Sequence, residues 1–114
     1  MHTEPNVLCP LADCPVGEIS SVDAQINGQL ESLILWRGED AGGVFLNAGP
    51  PAGRRLDYAP RKFLFHNDRL ICAAHGAAFA VRDGHCVSGP CRGQSLQSLN
   101  VRVVDGMICL PASD

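Results

Sequence analysis

Asn27-Gly28, Asp83-Gly84 and Asp105-Gly106 constrain the fold of this chain more than any other feature. Such pairs accept the positive φ angles of a tight hairpin turn, and each stands between two apolar stretches. Asn27-Gly28 separates 18–26 from 29–36, Asp83-Gly84 separates Phe79-Ala80-Val81 from Cys86-Val87, and Asp105-Gly106 separates 98–104 from 107–110. Asn67-Asp68 plays the same part between Phe63-Leu64-Phe65 and Leu70-Ile71. Within 98–104, Leu99, Val101 and Val103 alternate with Asn100 and Arg102, which predicts one strand with one buried face. Hairpins at this spacing predict an all-β protein, an antiparallel sandwich or barrel, with no helix longer than a turn.

With 114 residues, 46% of them hydrophobic, the chain is long enough to bury a core and fold as one domain. Its formal charge is −3 and only one of its nine basic residues is Lys, so no cationic run exists to track phosphates, and nucleic acid is excluded as a partner. No apolar run approaches the roughly 20 residues that cross a bilayer, so no membrane partner is expected. Met1-His2-Thr3-Glu4-Pro5 lacks both the basic region and the apolar core of an export signal, which makes a cytoplasmic location the expectation. The six cysteines are then expected to be reduced thiols with metal-binding or packing roles, Cys9 and Cys109 being buried spacers. No nucleophile–base–orienter set and no phosphate-cradling glycine loop is visible, so an enzyme is not expected.

Chemistry concentrates in Cys72-Ala-Ala-His75-Gly76-Ala-Ala-Phe79, followed by Asp83, Gly84, Cys86, Gly89, Pro90 and Cys91. In these residues and their spacing the stretch 44–96 resembles the small bacterial Rieske-domain ferredoxins. The resemblance implies an all-β Rieske-like antiparallel β-sandwich or barrel: a single domain over 1–114, with a small inserted cluster-binding-type subdomain at about 43–87 on a sheet framework of about 5–42 and 94–111. It also implies a 2Fe-2S cluster held by two thiolates and two imidazoles, one Cys-His pair from each of two facing loops. Cys72 and His75 match the second pair. Asn47 and Pro50 match the first loop, but Gly49 stands where its Cys belongs and Pro51 where its His belongs. Neither residue offers a side-chain donor, so Cys72 and His75 alone could give one ligand to each iron.

Four readings of this half-site follow. Cys72 and His75 are remnants, the thiol packing as a small hydrophobe. Or Cys72, His75, Cys86 and Cys91 form a Cys3His zinc set. Or Cys86 and Cys91 form a disulfide with each other or with Cys72, which the reducing cytosol disfavours. Or two chains meet half-site to half-site and complete one cluster across a twofold axis. The expected cofactor is none, with 2Fe-2S or zinc as the alternatives. The expected partner is another protein, a redox enzyme included, with a homodimer as the alternative. In the family, the small subunit of assimilatory nitrite reductase resembles a Rieske domain without its ligands. The vacated tip at Pro50, Pro51, Arg54 and Arg55, with Arg61 and Lys62 nearby, is the candidate interaction surface. Trp36 and Phe45 are expected in the core, and Tyr58 against the first loop. His66 and His85 are expected on exposed turns, and Glu39 and Asp40 in a solvated one.

Overall fold

Leu33-Ile34-Leu35-Trp36 shows no polar alternation, a pattern that suits a strand covered on both faces. A computed structural model of the protein places it so, and describes residues 6–26, 28–39, 42–48, 55–59, 62–72, 76–89 and 91–110. The run forms the middle of strand β3 (Gln29–Arg37), and all four side chains are buried. Strand β2 (Ile19–Ile26) pairs along one edge of β3 from Ile19↔Trp36 to Ile26↔Gln29. Strand β4 (Gly42–Leu46) pairs along the other edge, Leu33↔Leu46 to Arg37↔Gly42. Short β9 (Ser98–Leu99) closes this central sheet in the order β2-β3-β4-β9.

Two further antiparallel sheets lie among the described residues. One joins β1 (Asn6–Pro10), β11 (Met107–Leu110) and β10 (Arg102–Val104) in the order β1-β11-β10. The other is a meander of three-residue strands, β5 (Leu64–His66), β6 (Arg69–Ile71), β7 (Ala78–Ala80) and β8 (Cys86–Ser88). Period-2 alternation along β3 sends its side chains to opposite sides. Leu33 and Leu35 join Leu8, Cys14, Val44, Ile108 and Leu110 in one core. Ile34 and Trp36 join Phe45, Leu56, Leu70, Cys72, Phe79, Val81, Cys86 and Cys91 in the other.

The all-β expectation holds. The helical residues among those described are the single 3-10 turn Leu11–Asp13, which is fastened by the Arg37 guanidinium donating to the carbonyls of Leu11 and Cys14 at 3.2 Å each. Among the described residues no helix is long and apolar enough to cross a membrane. Asn67 and Asp68 both take positive φ, 51° and 59°, as a two-residue hairpin turn between β5 and β6 requires, and Asp105 and Gly106 do so at 51° and 77°. Trp36 and Phe45 are core residues as expected.

Two expectations are corrected. Residues 98–104 do not form one strand: the segment leaves β4 after Leu99 and joins β11 from Arg102, so it changes sheet and its alternation breaks. Val103, expected inside, is 53% exposed. Cys9, expected as a buried spacer, is only half-buried beside a bulge in the β1–β11 pairing, whereas Cys109 is buried as expected.

Candidate functional site

The site is built on the small meander and on the end of β4. Cys72 follows β6 directly, and its N–H donates to the carbonyl of Ala77 at 2.8 Å while its own carbonyl accepts from Gly76 N–H at 2.8 Å. The turn from 72 to 77 is thus closed by two short backbone bonds, and Gly76 supplies the positive φ of 71°. The Cys72 thiol points into the same core as Cys86 and Cys91. His75, the other half of the expected ligand pair, lies outside the described residues, as do Gly49, Pro50, Pro51, Arg54 and Arg61.

Cys86 and Cys91 come together. Their Sγ atoms are 3.2 Å apart in a buried contact, and the Cys86 thiol also reaches the Ser88 carbonyl at 3.2 Å. Burial pushes the Cys91 thiol up from 9.0 to about 11; the hydrogen bond with Cys86 and the charges of Cys86 and Cys72 act the same way, against a smaller opposing backbone hydrogen bond. The loop carrying Cys91 packs tightly against the Cys72 turn. Gly89 has φ +100°, and a Cβ there would stand 2.7 Å from Ala77 Cα, so both backbone angle and space require glycine.

Among the described residues no three His, Cys, Asp or Glu side chains are grouped so as to hold a metal ion. Gly49 and Pro51, expected at the first ligand pair, carry no side-chain donor atom. His66 and His85 are exposed on hairpins, His85 Nδ1 lying 3.2 Å from Ser95 Oγ.

Asn47 matched the family pattern in sequence, and the structure adds what it does. It is the buried polar residue of the described core, 5% exposed. Its Oδ1 accepts from Leu56 N–H at 2.7 Å and its Nδ2 donates to Ser32 Oγ at 3.3 Å. One side chain therefore ties the end of β4 to the residue nine positions later, where the chain returns from the arm bearing Gly49 and Pro51. Leu56, fully buried, anchors that return.

Arg55 is not a free cation. It donates to both carboxylate oxygens of Asp57, Nε to Oδ1 at 3.0 Å and a terminal nitrogen to Oδ2 at 2.8 Å. The hydrogen bond to Asp57 raises the guanidinium pKa further above its ordinary value. Tyr58 is 57% exposed, and its backbone N–H donates to the Lys62 carbonyl at 2.9 Å; the first loop that it was expected to buttress lies outside the described residues. The ring borders an open hollow of about 360 Å³ with Glu18, Lys62, Phe63 and Phe65.

A second thiol pair escaped the sequence reading. Cys9 and Cys14 place their Sγ atoms 3.8 Å apart. The signal for it was present, since 9 and 14 repeat the spacing of 86 and 91.

No protein-family profile matches the chain, and neither does any curated protein sequence. Solved structures do. The ferredoxin of Sphingomonas yanoikuyae B1 is 20% identical, with a TM-score of 0.72 over 94% of this chain and 97% of that one. A chain from the complex of reduced oxygenase and oxidised ferredoxin in carbazole 1,9a-dioxygenase is 23% identical, with a TM-score of 0.70 over 91% of this chain and 89% of that one. A protein described as a nitrite reductase small subunit is 18% identical, with a TM-score of 0.64 over 93% of this chain and 96% of that one. The chain has the Rieske-type ferredoxin fold over nearly its whole length.

Proposed function

We propose that this Rieske-type fold has given up its cluster and serves as a protein-binding accessory subunit, with no substrate of its own. The observation that carries the reading is the side-chain content of the first ligand loop: Gly49 and Pro51 provide no atom that binds iron, while Cys72 keeps its place in the second turn. The meander of β5–β8 is then the former cluster-binding subdomain of a single domain, and the remaining sheets are its framework. A cytoplasmic location belongs to the same reading.

What remains is a surface. One matched structure is a complex of an oxygenase with its ferredoxin in carbazole 1,9a-dioxygenase, and another match is described as a small subunit of nitrite reductase. A redox enzyme is therefore the kind of partner proposed here. The Asn47 clamp joins the two described ends of the segment that carries Pro50 and Pro51. Exposed Tyr58 with Phe63 and Phe65 offers the aromatic groups that interface centres favour, and Lys62 borders the same hollow. Because Arg55 is neutralised by Asp57, Arg54 and Lys62 carry the cationic part of the proposal.

Iron analysis and visible spectroscopy of protein purified without oxygen test the reading. A colourless protein without iron is expected. Two irons per chain with reddish-brown absorption would replace this reading with that of an electron carrier, and one cluster per two chains would select the twofold-shared arrangement of Cys72 and His75. Zinc in place of iron would select the Cys3His set. In the double variant Gly49→Cys with Pro51→His, restored iron binding is expected; a variant that folds and stays iron-free would show that the arm has diverged beyond its two ligands.

A further inference from the structure

Three thiols, those of Cys72, Cys86 and Cys91, share one core, and two of them are already in contact. Their separation of 3.2 Å needs to close by only about 1 Å to reach the disulfide bond length of about 2.05 Å. Both cysteines sit on one short excursion of chain. Cys86 opens β8, and Cys91 lies five residues on, past Gly89, in the turn that brings Gln94 back to the Cys86 N–H at 2.7 Å. Gly89 and Gly93 take φ of 100° and 93°, and of the four backbone bonds in the turn two are short, Cys86 N–H to the Gln94 carbonyl at 2.7 Å and Gln94 N–H to the Cys91 carbonyl at 3.0 Å, while Arg92 N–H to the Gly89 carbonyl and Gly93 N–H to the Cys86 carbonyl are long at 3.2 and 3.4 Å. Weak closure of this kind permits the local opening through which a small oxidant enters a buried site.

We propose that Cys86 and Cys91 are a redox-modifiable dithiol that closes to a disulfide beneath the Cys72 turn. With a peroxide as oxidant, one thiol, reacting as its thiolate, attacks an oxygen of the peroxide and becomes a sulfenic acid, releasing one water or alcohol; the second thiol displaces the sulfenic oxygen as water, forming the S–S bond. Two thiol protons and two electrons leave the protein and the peroxide takes them up. Cys72 stays a thiol. The Gly89 backbone, pressed against Ala77, links the state of the pair to the turn that carries Cys72. The proposal does not depend on whether the protein binds iron.

The pair at Cys9 and Cys14 is the internal control, since it has the same spacing but wider separation, 3.8 Å. Native protein is treated with graded hydrogen peroxide, quenched with acid, unfolded, alkylated and weighed, and its peptides are mapped. The expected result is loss of two of the six alkylation sites at the lowest effective dose, with the linkage mapping to Cys86 and Cys91 and reversed by dithiothreitol. A first linkage between Cys9 and Cys14, a linkage of Cys72 to either partner, or retention of six sites until the protein unfolds would each overturn the proposal. The Cys9→Ser, Cys14→Ser double variant should still lose two sites, and Cys91→Ser should lose none from this region. A midpoint potential for the wild-type pair, read in dithiothreitol buffers by the same alkylation count, distinguishes a reversible dithiol from one that only fills space, which would show no reversible transition.

Discussion

The two cores on either side of β3 are built from the same strand yet held together differently. On the side of Leu33 and Leu35, the eight residue pairs of β2 with β3 give a long ladder, and β1 and β11 close the layer over it. On the side of Ile34 and Trp36, the covering sheet consists of four strands of three residues each, with at most three paired positions between neighbours. Few ladder hydrogen bonds hold it, so its integrity rests on side chains such as Phe79 and on turns that only glycine permits. Each side also holds one thiol pair of identical spacing, closed and buried in the meander core, looser and half-buried in the other. The closer and more deeply buried thiol pair thus lies on the side with the shorter ladders.

The largest effect that would break this contrast is expected at Phe79. Its ring is 1% exposed at the centre of the meander core. Phe79→Ala should cost about 3–5 kcal/mol in denaturant unfolding. The loss should appear in hydrogen exchange of β5–β8 before that of β2–β3; simultaneous loss in both would mean that the two cores form one cooperative unit. Next comes Gly84→Ala. Its φ of +77° is unfavourable for alanine, and the new Cβ would lie 2.7 Å from a ring carbon of Phe45 on β4, which like β3 gives side chains to both cores. A cost of about 2–3 kcal/mol is expected from backbone and clash together. A third change, Asn47→Ala, leaves the buried Leu56 N–H without its partner and should cost about 1–3 kcal/mol. If the arm is clamped as described, the same variant should make the segment 48–55 more open to proteolysis while β2–β3 stays protected.

Much of this arrangement was legible beforehand because it depends on local rules. Asn67-Asp68 and Asp105-Gly106 had to be hairpin turns, since few other pairs accept two successive positive φ angles. The unbroken run Leu33–Trp36 could already be placed as a strand, although its covering on both sides emerged only when the meander folded over Ile34 and Trp36. Other features depend on tertiary context. The break at Asn100 and Val101 is invisible in the sequence, where Leu99, Val101 and Val103 still alternate with polar residues although all three residues of β10 are exposed. Neutralisation of Arg55 follows from a carboxylate two residues away. At the candidate site, the burial of Cys72 beside Cys86 and Cys91 fits their place in one sequence pattern, but the choice of Cys91 over Cys72 as the contact of Cys86 and the clamp by Asn47 needed the third dimension.

The smallest expected effect sharpens the comparison of the two thiol pairs. Burial is the first cause that pushes the Cys9 thiol up from 9.0 to about 11; the charge of Cys14, its hydrogen bond and the charge of Asp13 add to it. Two units less acidic, Cys9 holds about 100-fold less thiolate than an ordinary cysteine at the same pH, and the thiolate is the nucleophile. Alkylation of native protein at pH 8 should therefore be slow at Cys9 despite its partial exposure, and its rate should go on climbing to pH of about 11. The sign for stability follows from the same shift: the unfolded thiol ionises near 9.0 while the folded one keeps its proton, so stability present below pH 9.0 is lost progressively as the pH rises toward about 11. Cys14→Ala removes the charge and hydrogen-bond contributions but leaves most of the burial. Its Cys9 should react faster than in the wild type and still slower than a free thiol. A rate equal to that of a free thiol would mean that Cys14, and not burial, controls the pair, which would make the two sites alike in chemistry and different only in depth.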